Sequence, residues 1–267
     1  MRVLVVAGSD SGGGAGIQAD IKTITMLGGY AATAVTALTA QNTLGVFGVM
    51  PVPAAFVRQQ MRVVLDDIGA EVIKTGMLHD ESIVEAVCLE FLATVPRPKL
   101  VVDPVMIAKG GASLLSRQAA ASVLERLLPL AFLVTPNAPE AAALTGLVVS
   151  TEADLVLAGR ALVEKGARAA LVKGGHLEGR EIVDALVTPD RVRLYRAQRV
   201  ETRHNHGTGC TLASAIAALL AQGESLETAV ERARAYVRRA LEAAPGLGRG
   251  HGPLGHAFAL ATDYKTS

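Results

Sequence analysis

The chain has 267 residues, with 26 Lys+Arg against 25 Asp+Glu and a formal net charge of +1. That balance excludes a general nucleic-acid binder, which carries a basic excess, and 3% aromatic content without Trp excludes base-stacking platforms. Half the residues are hydrophobic, enough for a sizeable core, yet no uninterrupted apolar run reaches membrane-spanning length, so no membrane partner is expected. Val3 to Ala7 is a Val-rich apolar run, the pattern of a strand buried on both faces of a parallel sheet. The loop Gly8-Ser9-Asp10-Ser11-Gly12-Gly13-Gly14-Ala15-Gly16 follows, then a helix with Ile17, Ile21, Ile24 and Leu27 on its apolar face, ended by Gly28-Gly29. The loop has neither Walker A spacing nor the dinucleotide fingerprint, and reads as close backbone approach to a small ligand. Asp20, one turn into the helix, can look back over it.

Ala31 to Thr39 is a second strand, and Gln41 and Asn42 at its end are amides suited to reading a heteroaromatic edge. Further elements alternate regularly: a helix over Pro53–Asp67, a strand and exit loop over Glu71–Met77, and a helix over Glu81–Ala93 with Cys88 in its core face. Next come a strand over Leu100–Val105 that carries Asp103, a helix over Arg117–Leu128, and a strand over Ala131–Thr135 leading to Asn137. Pro139-Glu140 opens the next helix, another helix covers Glu152–Lys165, and a strand over Ala169–Val172 runs into Lys173. Ile182–Val187 and Val192–Tyr195 form an antiparallel hairpin around Thr188-Pro189-Asp190-Arg191. His206-Gly207-Thr208-Gly209-Cys210 then runs directly into a small-residue apolar helix, and Ser225 caps a last helix over Leu226–Ala243. The alternation predicts one α/β domain over residues 1–267, a mostly parallel sheet with helices on both faces and a short antiparallel hairpin.

In such sheets ligands bind beyond the carboxyl ends of the strands, where Asp10, Gln41, Met77, Asp103, Asn137, Lys173 and the Gly207–Cys210 turn fall. A glycine turn entering a helix offers free N–H groups and the positive end of a dipole to an anion. Lys173 suits a phosphate, and Asp103, Asn137 and Glu140 suit Mg²⁺ held through waters. Phosphoryl transfer asks for this positioning and charge stabilisation. Cys210 on the first turn faces an accepting hydroxyl, and a helix N-terminus lowers a thiol from its free value of about 8.5. Cys88 and Cys210 are too far apart for zinc spacing, and this composition suits a reducing cytoplasm.

Several stretches come in one family's order: Ala7 to Asp20, Thr36 to Thr43, Lys74 to Leu78, Thr135 to Glu140, Lys173 to His176, His206 to Thr211 and Gly250 to Pro253. Together they closely resemble the hydroxymethylpyrimidine/phosphomethylpyrimidine kinases of thiamine biosynthesis, in the ribokinase-like superfamily. The resemblance implies ATP-dependent phosphorylation of 4-amino-5-hydroxymethyl-2-methylpyrimidine and then of its monophosphate, with pyridoxal/pyridoxine kinase as the alternative. It implies that Gly8, Asp20, Gln41, Met77 and Val105 meet the pyrimidine. Lys173, Asn137 and Thr208 would meet ATP, with Asp103, Asn137 and Glu140 around Mg²⁺. Gly207, Thr208 and Gly209 would form the anion hole. Cys210 stands where sugar kinases of the superfamily have an Asp base. The resemblance also implies a cytoplasmic homodimer. A non-catalytic metabolite sensor on the same fold would lack the complete Lys173, Asn137/Glu140 and anion-hole set.

Overall fold

A computed structural model describes residues 1–106, 116–258 and 260. The strands are β1 (Arg2–Asp10), β2 (Tyr30–Asn42), β3 (Gly45–Pro51), β4 (Val72–Thr75), β5 (Lys99–Val102), β6 (Leu133–Val134), β7 (Ala170–Lys173), β8 (Glu181–Val187) and β9 (Val192–Gln198). The helices are α1 (Gly16–Met26), α2 (Ala54–Asp67), α3 (Glu81–Ala93), α4 (Arg117–Ser122), α5 (Ala138–Thr145), α6 (Glu152–Glu164), α7 (Thr208–Ala221) and α8 (Leu226–Glu242). The strands join one sheet in the order β3-β2-β1-β4-β5-β6-β7-β8-β9. Pairings from β2 through β7 are parallel, whereas β3, β8 and β9 pair antiparallel at the two edges.

Alternation along the strands divides the core. Leu4, Val6, Ile73, Leu100, Val102 and Val172 face the layer of α2, α3, α5 and α6. Val3, Val5, Val72, Val101 and Leu171 face α7 and α8. The mostly parallel sheet with helices on both faces and an antiparallel hairpin expected from the sequence is therefore present, and the order of β1, β2 and β4 creates a switch point. The chain leaves β1 for β2 on one side, while β4 pairs on the other, opening a crevice above their carboxyl ends.

Three local expectations change. β3 was missed: it is an uncharged edge strand exposed along most of its length, so it has no core-facing alternation to read. In α1 the buried face is Ala19, Asp20, Thr23 and Ile24, while Ile21 is exposed. The helix expected over Arg117–Leu128 stays α-helical to Ser122, then passes into a π turn over Val123–Leu127 and a 3₁₀ turn over Leu128–Leu130. Pro129 lacks the N–H that would continue an α ladder.

Helix α7 is buried all round from Thr211 to Leu220, as its Ala-rich sequence permits. It lies between the sheet and amphipathic α8 and packs on α1, β1 and β4. Its N-terminus is thereby delivered to the crevice.

Candidate active site

Two glycine turns form the base of the crevice. Asp10, at the end of β1, ties the first together. Its Oδ1 accepts the Gly12 N–H at 2.8 Å, and its Oδ2 accepts those of Gly14 at 3.0 Å and Ala15 at 2.9 Å. Burial works to raise the Asp10 carboxyl, but His206 and these amides outweigh it and hold it below the ordinary carboxylate range. The second turn carries Gly207, which N-caps α7 at φ 85° with no side-chain cap. A Cβ on Gly207 would come within 1.8 Å of the Gly14 carbonyl oxygen, so the two turns pack back to back through glycine. The Thr208 N–H turns back to the Asn205 carbonyl at 3.4 Å, which leaves those of Gly209 and Cys210 as the first-turn donors for the crevice.

Lys173 stands over that first turn. A Cβ on Gly209 would lie 3.2 Å from Lys173 Nζ, which pairs with Asp103 Oδ1 at 3.1 Å. Burial opposes the Lys173 charge, but Asp103 and Glu140 outweigh it and raise the amine above its ordinary range. Asn137 and Glu140 form a capping box on α5. The Asn137 side chain accepts the Glu140 N–H at 2.9 Å, and Glu140 accepts the Asn137 N–H at 2.8 Å. Burial pushes the Glu140 carboxyl up to about 7 against the pull of Lys173, with Asp103 adding to the rise. Among the described residues no group of three or more His, Cys, Asp or Glu could cage a metal. Asp103 and Glu140 are hard oxygen donors, and two carboxylates fit a Mg²⁺ that keeps several of its waters.

Cys210 is partly exposed, onto the same cavity. The expectation that the helix end lowers its thiol is overturned. Burial pushes it up to about 12, with Lys74 and the Gly16 N–H opposing and Asp20 and Asp103 adding to the rise. The resting group is a neutral thiol.

Asp20 also differs from expectation. It has no exposed surface and does not line the cavity. Its two oxygens lie 2.9 and 3.0 Å from Lys74 Nζ, and Ser214 Oγ donates to Oδ1 at 2.6 Å. Burial, the largest influence on each partner, favours neutral groups. On Lys74 the two-point contact prevails and holds the amine above its ordinary range, whereas on Asp20 burial prevails over Lys74 and Ser214 and raises the carboxyl. Ser214 lies one turn beyond Cys210 on the same helix face, so Asp20 fixes the rotation that aims Cys210 at the crevice.

The remaining expected residues meet around one cavity of about 1130 Å³. Gly8, Gln41, Met77 and Val105 line one part. Asp103, Asn137, Glu140, Lys173 and Gly207 to Cys210 line the centre, and β9 with part of α8 lines the far end. That volume exceeds the upper range of about 1,000 Å³ for a single drug-sized ligand, so two small ligands can share it. A Cβ on Gly8 would come within 2.6 Å of the Met77 methyl, which is why β1 carries glycine beneath that side chain. Sequence reasoning gave no role to His206 or Lys74. A Lys inside the apolar strand Val72-Ile73-Lys74-Thr75 was the available signal, because a buried amine demands a counter-ion.

A family model described as phosphomethylpyrimidine kinase matches residues 10–255. The chain is 51% identical over 257 residues to the thiamine biosynthesis bifunctional protein ThiED of Geobacter sulfurreducens. That match covers 96% of this chain and 52% of the relative, so the chain spans about half the length of that protein. It is 51% identical over 258 residues to a hydroxymethylpyrimidine/phosphomethylpyrimidine kinase of Streptomyces coelicolor, covering 97% and 95% of the two chains. The fold matches an ADP complex of Bacillus subtilis pyridoxal kinase with a TM-score of 0.89 at 32% identity, covering 97% and 98%.

Proposed function

This chain belongs to the phosphomethylpyrimidine kinase family and is a kinase, and on that premise we propose how its residues share the reaction. It transfers phosphate from ATP to the hydroxymethyl group of 4-amino-5-hydroxymethyl-2-methylpyrimidine, and then phosphorylates the monophosphate, in thiamine biosynthesis. The observation that carries this reading is the meeting of Lys173 with the glycine-capped first turn of α7, inside a cavity with room for two ligands.

The pyrimidine sits between Gly8, Gln41, Met77 and Val105. Lys173 exchanges its contact with Asp103 for the phosphates, whose oxygens it binds as a point charge. The N–H groups at Gly209 and Cys210 and the helix dipole take up charge on the transferred group, with the Thr208 N–H joining them where it exchanges its contact with the Asn205 carbonyl. Asp103 and Glu140 would hold a Mg²⁺ through waters, and the ion would supply neutralisation of phosphate charge. Cys210 positions the accepting hydroxyl as a neutral thiol. A loose transition state asks more for alignment than for a strong base, so a thiol near 12 is compatible with turnover.

The test is steady-state ADP formation with the pyrimidine and with pyridoxal. A kcat/KM for pyridoxal above that for the pyrimidine overturns the assignment, and absence of ADP with either favours a sensor. We place the enzyme in the cytoplasm as one domain and as a homodimer. No helix among the described residues is long and apolar enough to cross a membrane. β3 offers an uncharged edge with Phe47 71% and Met50 60% exposed, a face suited to a second copy. Light scattering at twice the 27.6 kDa of one chain tests the dimer.

A further inference from the structure

One nitrogen of His206 touches two groups of the substrate wall. Nε2 lies 2.9 Å from Asp10 Oδ2 and 3.1 Å from the terminal amide of Gln41. The ring has little freedom to move. Its residue is 8% exposed, its backbone N–H donates to the Gly252 carbonyl at 3.1 Å, and a Cβ on Gly14 would come within 2.5 Å of ring carbon Cδ2.

The hydrogens fix how this cluster is arranged. The Asp10 carboxylate accepts from Gly12, Gly14 and Ala15, and an ionised carboxylate has no hydrogen to give. The hydrogen between Asp10 and His206 therefore resides on Nε2. A nitrogen that carries a hydrogen cannot accept one from the Gln41 NH₂, so the Gln41 atom beside it is the carbonyl oxygen. The two ends of an amide have the same shape, and their identity follows from their neighbours. The other end obeys the same assignment. It lies 3.1 Å from Thr39 Oγ1, whose single hydrogen goes to the Ser9 carbonyl at 2.9 Å. Thr39 is then an acceptor towards Gln41, and the group facing it is the NH₂. The sequence of donors is complete in both directions: Gln41 NH₂ to Thr39, Thr39 O–H to Ser9, and His206 Nε2–H to both Asp10 and the Gln41 carbonyl.

We propose that His206 is a specificity-determining positioning residue that orients the Gln41 amide. The carbonyl is taken by His206 and one amide hydrogen by Thr39, so the second amide hydrogen remains for the cavity that Gln41 lines. That donor suits a ring nitrogen of a heteroaromatic substrate and disfavours an amino or hydroxyl hydrogen in the same place. The choice of substrate class rests on the function proposed above, whereas the arrangement of His206 and Gln41 does not.

Two measurements on the full chain test the proposal. In ¹⁵N NMR of the ligand-free protein, His206 is expected to carry a hydrogen on Nε2, and a ring protonated only at Nδ1 overturns the proposal whatever the substrate. In kinetics, His206→Met removes the donor, while His206→Gln keeps an N–H at similar reach. His206→Met is expected to raise pyrimidine KM about ten-fold, the factor for one hydrogen bond of about 1.4 kcal/mol, with kcat and ATP KM within about two-fold. His206→Gln is expected to recover most of that loss. Equal losses in the two variants, or a loss confined to kcat or to ATP KM, sinks the positioning role. An Nε2 hydrogen in a protein that prefers pyridoxal leaves the role of His206 standing and overturns the proposed function instead.

Discussion

Lys74→Met tests the frame beneath the active site. The wild-type lysine and Asp20 both have 0% exposed side chains and meet through two contacts of 2.9 and 3.0 Å. Methionine fills similar space and removes the charge, leaving Asp20 with Ser214 as its side-chain partner. Removing one member of a buried pair costs about 3–5 kcal/mol, because the other charge stays buried without its counter-ion. At roughly 2–4 °C per kcal/mol for a domain of this size, Tm falls by about 6–20 °C. The loss depends on pH in a definite direction. Without Lys74, burial holds a proton on Asp20 in the folded state at pH values where the unfolded chain has released it. The folded state then binds more protons, so stability falls as pH rises above the ordinary carboxyl range. The deficit is expected to be smaller at pH 5 than at pH 8. Thermal unfolding followed by circular dichroism at both pH values measures it, and Asp20→Asn combined with Lys74→Met should recover much of the loss. A deficit below about 2 °C at pH 8 refutes the buried-pair argument, since it corresponds to at most about 1 kcal/mol. So does a deficit equal at the two pH values, or a double variant no better than the single one.

Four further outcomes follow from the site. Alkylation of Cys210 by iodoacetamide, read by mass spectrometry, should keep rising from pH 6 to 10, because burial holds the thiol at about 12; a plateau below pH 8 would reveal a thiolate and return the role of base to it. Cys210→Ala should lower kcat about 10²-fold through misalignment of the acceptor, with KM little changed. Glu140 is held neutral by burial up to about 7, so its charge appears as pH rises through that value. The Mg²⁺ concentration for half-maximal rate should therefore fall between pH 6 and 8, and Glu140→Gln should flatten that dependence; a wild-type requirement that ignores pH contradicts the assigned role. Gly207→Ala places a Cβ 1.8 Å from the Gly14 carbonyl at a φ of 85°. Backbone strain of about 1–3 kcal/mol adds to that clash, so both Tm and ADP formation should drop sharply, and near-normal turnover would show that the two turns separate freely.

The legible parts of the sequence were those with a local cause. Apolar runs ending in Asp103, Asn137 or Lys173 announced strand ends, because a polar group after a buried strand has few packing explanations. The Gly207–Cys210 turn was legible because glycine before an apolar helix leaves N–H groups free. What stayed hidden depends on partners far away in the chain. Asp20 is buried by Lys74 and Ser214, 54 and 194 residues distant, so its own helix gives no sign of it. The expectation for Cys210 failed because it weighed the helix end alone. Burial raises the thiol more than Lys74 and the Gly16 N–H lower it, and Asp20 and Asp103 add to the rise. Asn137 and Glu140, expected around Mg²⁺, also form a capping box, so the pair stabilises α5 whether or not a cation is near.

Two lysines under one crevice divide permanent from exchangeable charge. Lys74 is held by two contacts and has no exposed surface, so no ligand can compete for it. Lys173 makes one side-chain contact among the described residues, 3.1 Å to Asp103, its side chain is 12% exposed, and it lines the cavity. A phosphate entering there offers Lys173 a more highly charged acceptor than Asp103 and meets the first turn of α7 at the same time. The rotation of that helix is already set one turn deeper, where Ser214 binds Asp20. Substrate binding can therefore exchange the charge at the tip of α7 without disturbing the pair that aims it. Alignment in this site is established by folding, before any nucleotide arrives.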